Sequence, residues 1–154
     1  METIFIILFV LTLLYIGMAD RLSTLVRILG VQGILLFATA FVALDKVDAL
    51  NLSFILIETI LVKGLLIPAM LRRTLQRNGI VRETEHTVTQ FQSLLVVTVI
   101  IVLSFILANS IHQPHLRIGY FTASISAVFV GLFIVMTRMK IITHMIGYLI
   151  LENG

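Results

Sequence analysis

The sequence predicts an all-α integral membrane protein, a polytopic bundle of about five to six transmembrane helices, on three observations. Hydrophobic residues make up 59% of the 154 residues and charged residues only 12%, with a mean hydropathy of +1.11, outside the composition of soluble domains. Apolar runs recur along the chain, most of them near the roughly 20 residues needed to cross about 30 Å of hydrocarbon. Almost all charges fall between these runs. A single transmembrane domain, residues 1–154, accounts for the whole sequence.

The first run, 3–19, follows one charge, Glu2, and lacks the basic segment and cleavage site of a signal peptide, so it is read as a retained span. Asp20, Arg21 and Arg27 separate it from the second, 28–44. Asp45, Lys46 and Asp48 lead into the third, 50–71. The next connection carries Arg72, Arg73, Arg77, Arg82, Glu83 and Glu85 and has room for a short surface helix. The fourth and fifth spans, 89–111 and 118–137, flank His112, Pro114, His115 and Arg117. Arg138, Lys140 and His144 open an incomplete sixth, 141–154. At 1.5 Å per residue it reaches only about 21 Å, so the expectation is a shortened chain or a partner over its end.

Eight of the Lys and Arg residues in these connections lie in the odd-numbered ones and two in the even-numbered ones. Positive charge concentrates on the cytoplasmic side. The chain is therefore expected as a multi-pass protein of the cell's inner (cytoplasmic) membrane with its N-terminus outside. Shifting the sequence by 117 positions lays Arg21, Arg27, Leu29 and Gly30 on Arg138, His144, Ile146 and Gly147. The match is a weak sign of an internal repeat.

Composition also excludes chemistries. There is no cysteine, which removes disulfides, thiolate catalysis and cysteine-held zinc or iron–sulfur clusters. The net charge of +3 is spread over the ends of apolar runs, not gathered as a nucleic-acid patch. His112 and His115 flank Pro114 without a third metal ligand in view, and neither a phosphate loop nor a nucleophilic triad is present. No active site, metal or cofactor is expected in the chain itself.

Ionisable groups within spans carry the remaining information, because each costs about 2.5–3.5 kcal/mol at the centre of an inserting helix. Glu58, Lys63 and Glu152 are such groups. On an α-helix Glu58 and Lys63, five apart, project about 140° from each other, so each must find its partner on another helix, in water or on another subunit. Pro68 lacks an N–H and leaves the Gly64 carbonyl, beside Lys63, without its helical donor. This combination suits a hydrated proton-transfer point; the plainer reading is a lysine that pairs with a carboxylate to fasten two helices. His144, one turn before Tyr148, is placed either to relay protons or to cap a helix. Gln32, a neutral polar residue inside span 28–44, is expected to bond to another helix and is counted with the proton path.

The segment Arg138 to Gly154, in which Gly147-Tyr148 is followed by Glu152-Asn153-Gly154, resembles the corresponding stretch of hydrogenase-4 component E proteins. Lys63-Gly64-Leu65-Leu66-Ile67-Pro68, with the basic residues through Asn78, is similar to that family's lysine-to-proline segment. Together these cover about a quarter of the chain. The family is similar in turn to the K subunit of respiratory complex I and the C subunit of multi-subunit cation/proton antiporters, where a glutamate two residues after a helix glycine handles protons. Here those positions hold Leu149 and Gln32, and Glu152 lies near one turn beyond Leu149. Glu58 is similar to the second membrane glutamate of the K-type subunits. The family continues past Glu-Asn-Gly with a further span, which again implies a shortened chain here.

The resemblance implies a non-catalytic membrane subunit of a group 4 membrane-bound [NiFe]-hydrogenase or formate hydrogenlyase-like complex. Its partners would be antiporter-like and other membrane subunits, with the hydrogenase redox arm reached through the complex. Glu58, Lys63, Glu152, His144 and Gln32 would contribute to its proton or ion path. Two alternatives stand beside it: a C-type antiporter subunit, and a structural scaffold whose charges only lock helices together.

Overall fold

The computed structural model describes residues 2–43, 56–77, 88–111 and 117–154, among which there is no β-strand. The helices are α1 Glu2–Met18, α2 Leu22–Ala43, a π-helical stretch Leu56–Leu66 that runs directly into α3 Ile67–Arg77, α4 Gln90–Ser110, α5 Ile118–Thr137 and α6 Ile141–Glu152. Leu22–Val42, Gln90–Ser110 and Ile118–Thr137 are long and apolar enough to cross a membrane, while Thr3–Met18 and Ile141–Glu152 are shorter apolar helices.

Local chemistry fixes the start of one helix directly. Thr89 caps α4 through a reciprocal box, its Oγ1 accepting from the Gln92 amide at 3.4 Å while the Gln92 side chain accepts from the Thr89 amide at 3.1 Å. Helix α2 starts at Leu22, six residues before the predicted span. Arg27 does not interrupt it, because arginine is a good helix former and this one is exposed. The basic residues after span 50–71 likewise continue a helix: α3 buries Pro68, Leu71 and Leu75 and exposes Arg72, Arg73 and Arg77. It is the amphipathic extension of the preceding element, where a separate surface helix was one expectation.

The irregularity expected between Gly64 and Pro68 lies earlier and is wider. The π-helical ladder occupies Leu56–Leu66, and Pro68 sits in the first turn of α3, where a missing N–H costs least. An i→i+5 register asks residue 69, not Pro68, to serve the Gly64 carbonyl, and so transfers the missing donor from Gly64 to the carbonyl of Lys63.

Helix α1 is central, packed against α2, α4 and α5; α2 carries the π-helical stretch and α3 on its other flank and also touches α6, which pairs with α5. Leu13, Ile16, Leu25, Val97, Val130 and Ile146 form the middle of the core. Two seams bring backbones together at glycines. A Cβ on Gly131 would lie 2.7 Å from both the Gly147 oxygen and the Leu151 nitrogen, closing α5 on α6. A Cβ on Gly33 would lie 2.9 Å from the Gly64 nitrogen, closing α2 on the π-helical stretch.

The two halves matched by the 117-residue shift are both helical hairpins, α1–α2 and α5–α6. Their matched residues occupy different surroundings. Arg21 is exposed and Arg138 buried, with the Arg138 Nη2 donating to the Ala19 carbonyl at 3.3 Å and its Nη1 3.8 Å from Asp20 Oδ1. The guanidinium thus ties the α5–α6 connection to the α1–α2 connection. Gly30 faces the Gly64 carbonyl, whereas Gly147 faces that of Gly131 in its own hairpin.

Candidate functional site

Gly30 and Gly33 fix the first half of the site. Because neither carries a side chain, the π-helical stretch lies directly on α2, with the Lys63 carbonyl carbon 3.1 Å from where a Gly33 Cβ would be. That contact sets the depth of Lys63. The Gly131–Gly147 seam sets the second half by holding α6 against α5, so that α6 ends with Glu152 beside Lys63. The Lys63 Nζ lies 3.3 Å from Glu152 Oε1, with the lysine side chain 19% exposed and the carboxylate 45%.

A polar chain runs inward from this pair. Asn153, the C-cap of α6, donates from Nδ2 to Gln32 Oε1 at 3.4 Å. The fully buried Gln32 donates from Nε2 to Thr12 Oγ1 at 3.0 Å, and that hydroxyl donates to the Phe9 carbonyl at 2.6 Å. The Gln32 amide thus has a donor at its oxygen and an acceptor at its nitrogen, as a buried amide requires. A carboxamide neither takes up nor releases a proton in the ordinary range, so Asn153–Gln32–Thr12 is a clamp. It fixes the end of α6, and with it Glu152, to α2 and α1.

On the other side of the pair a groove of about 550 Å³ separates α3 from α6, lined by Ile67, Met70, Thr74, His144, Tyr148 and Leu149 among others. His144, Tyr148 and Glu152 are spaced by four and share one face of α6. The His144 Nε2 contacts the Arg138 carbonyl, which joins the mouth of the groove to the buried guanidinium. Along α6 the groove runs from Ile141 to Leu149, about 12 Å at 1.5 Å per residue, and stops short of Lys63 and Glu152.

Of the residues expected to act together, Lys63 and Glu152 meet directly, Gln32 is linked to them through Asn153, and His144 stands two turns away. Glu58 belongs to the π-helical stretch by its backbone, and its side chain lies outside the described residues. The 140° separation assumed for Glu58 and Lys63 holds only on an α-helix; in an i→i+5 ladder positions five apart lie on adjoining turns. His112, Pro114 and His115 also lie outside the described residues, as do Asp45, Lys46, Asp48, Arg82, Glu83 and Glu85. Sequence reasoning missed Thr12, Gly33 and Asn153. Thr12 is the one aliphatic hydroxyl in the interior of run 3–19, and that was its available signal. Neither a protein-family model, nor a curated protein, nor a solved structure matches the chain.

Proposed function

We propose that the chain is a non-catalytic membrane subunit of a group 4 membrane-bound [NiFe]-hydrogenase or formate hydrogenlyase-like complex. In this reading it lies in the inner membrane with its N-terminus outside, and carries part of the proton or ion path between the redox arm and the antiporter-like subunits. The observation that supports it is the Lys63–Glu152 pair, 3.3 Å apart between two helical segments of a largely apolar bundle. Such groups are expensive in hydrocarbon and default to function. In this reading protons enter on the His144 side and exchange at Lys63 and Glu152, while Gln32 positions the carboxylate without itself carrying a proton. Glu58 continues the path on the π-helical stretch.

Lys63→Arg is the deciding variant, because arginine keeps the positive charge but stays protonated at any physiological pH. The complex carrying it is expected to assemble and evolve hydrogen while its coupled pumping in vesicles is largely lost. Normal pumping by this variant removes Lys63 from the path. If Lys63 only fastens helices, Lys63→Arg pumps normally and Lys63→Ala fails to assemble.

A further inference from the structure

A second groove, of about 820 Å³, opens on the opposite side of α1, between α1, α4 and α5. Its walls are apolar side chains such as Ile7, Val10, Leu11, Ile101 and Phe105, and along α1 it extends from Thr3 to Leu11, about 12 Å at 1.5 Å per residue. A volume of this size is in the range of ligand sites. Apolar walls alone select nothing, but two features of this groove are polar and lie at defined levels.

The first is at the rim. Arg117 lines the groove and is the N-cap of α5, with no side-chain bond to the first-turn amides. The helix N-terminus therefore adds its own positive end to a guanidinium. The guanidinium lies 5.7 Å from the Tyr120 ring centre. Such a stacked group presents its N–H donors around its edge, in the fork that matches a phosphate.

The second lies one level deeper. Thr122 also lines the groove, is 7% exposed, and its hydroxyl makes no hydrogen bond among the described residues. Elsewhere the helical hydroxyls of Thr98, Ser104, Ser110 and Thr137 bond to the carbonyl four residues earlier, the usual recourse in an apolar setting. Thr122 and, one turn on, Ser126 lack that bond; of the two only Thr122 lines the groove, and an unmet buried hydroxyl costs about 1–3 kcal/mol. Thr122 lies five residues, about 7.5 Å, along α5 from Arg117.

We infer that this groove is a binding site for a membrane glycerophospholipid: its phosphodiester on Arg117 and the α5 N-terminus, an ester carbonyl accepting from Thr122 after a χ1 rotation, and an acyl chain between α1 and α4. Positive charge at the rim, a donor at ester depth and an apolar channel below follow the order of groups in that molecule. The site goes beyond the proton path and shares with it only the placement of the chain in a bilayer.

The test is photolabelling of the full chain in phosphatidylcholine vesicles doped with phosphatidylglycerol that carries a diazirine partway along one acyl chain. Adducts mapped by mass spectrometry are expected to concentrate on Val10 and Ile101. Arg117→Gln should lower them about tenfold, the size of one lost charge-assisted hydrogen bond, and Ile101→Trp, which fills the groove, should abolish adducts at Val10. Labelling spread evenly over the lipid-facing helices, or unchanged in Arg117→Gln, overturns the site while leaving the membrane placement intact. Absence of labelling anywhere overturns both.

Discussion

The bundle contains two glycine seams built by the same device and put to different ends. Gly131 and Gly147 bring α5 and α6 together with nothing but backbone and apolar side chains between them: the nearest atoms to their missing Cβ groups include Leu151, Ile134 and Val135. Gly30 and Gly33 bring α2 against the π-helical stretch at Gly64 and Lys63, and one residue along lie the ion pair and its clamp. Small residues allow close approach and so supply van der Waals contact in an apolar setting. The difference teaches that close packing is general in this molecule and the polar site is an addition to one seam. Both seams place a charge, but the dry one holds Glu152 through α6 as a whole, whereas the other fixes Lys63 at the contact itself.

Substitutions that fill each seam test that division, and the largest effect belongs to the dry one. Gly131→Ala places a methyl 2.7 Å from two backbone atoms that cannot rotate away, and overpacking of this kind costs about 1–3 kcal/mol. Unfolding of the purified chain in detergent should show a loss near the top of that range, and, on the proposed function, the fraction that assembles should also pump less, because Leu151 is the neighbour of Glu152. Normal pumping by the assembled fraction would show that the dry seam serves stability alone. Gly33→Ala meets the Gly64 backbone at 2.9 Å and should cost somewhat less, about 1–2 kcal/mol, but should reduce coupled pumping more than it reduces assembled complex, because it shifts Lys63 away from Glu152. Equal losses in the two readouts would make both seams merely structural.

The smallest effects are expected in the clamp. Asn153→Ala leaves Gln32 Oε1 without its donor, and side-chain hydrogen bonds between helices average about 0.6 kcal/mol in membranes. A stability change of that order, accompanied by a several-fold fall in pumping, is expected if the clamp positions Glu152. Full pumping in Asn153→Ala would leave the carboxylate positioned by Lys63 alone.

Helices α4 and α5 were legible almost to the residue, as 89–111 and 118–137, since long apolar runs between a capping threonine and a basic residue leave little choice of boundary. Helix α2 was legible in type but not in extent: hydropathy stops at Arg27, whereas the backbone stops only where its hydrogen bonds do. Lys63 and Glu152 were singled out by their cost, yet their pairing was not readable, because 89 positions separate them and no periodicity links them. Arg138 was read as one more loop charge. Its burial depends on the α1–α2 connection arriving beside it, which no local pattern announces.

Sequence alone determined that the chain is helical and apolar, which residues are too costly to be buried without reason, and where proline forbids a regular ladder, since these follow from composition, solvation and covalent geometry. Tertiary structure decided which glycines become seams, that the ladder widens upstream of Pro68, and that Lys63 meets Glu152 beside a Gln32–Asn153 clamp. Those depend on which helices pack side by side, and helices of similar composition are told apart only by where their small and polar residues fit one another.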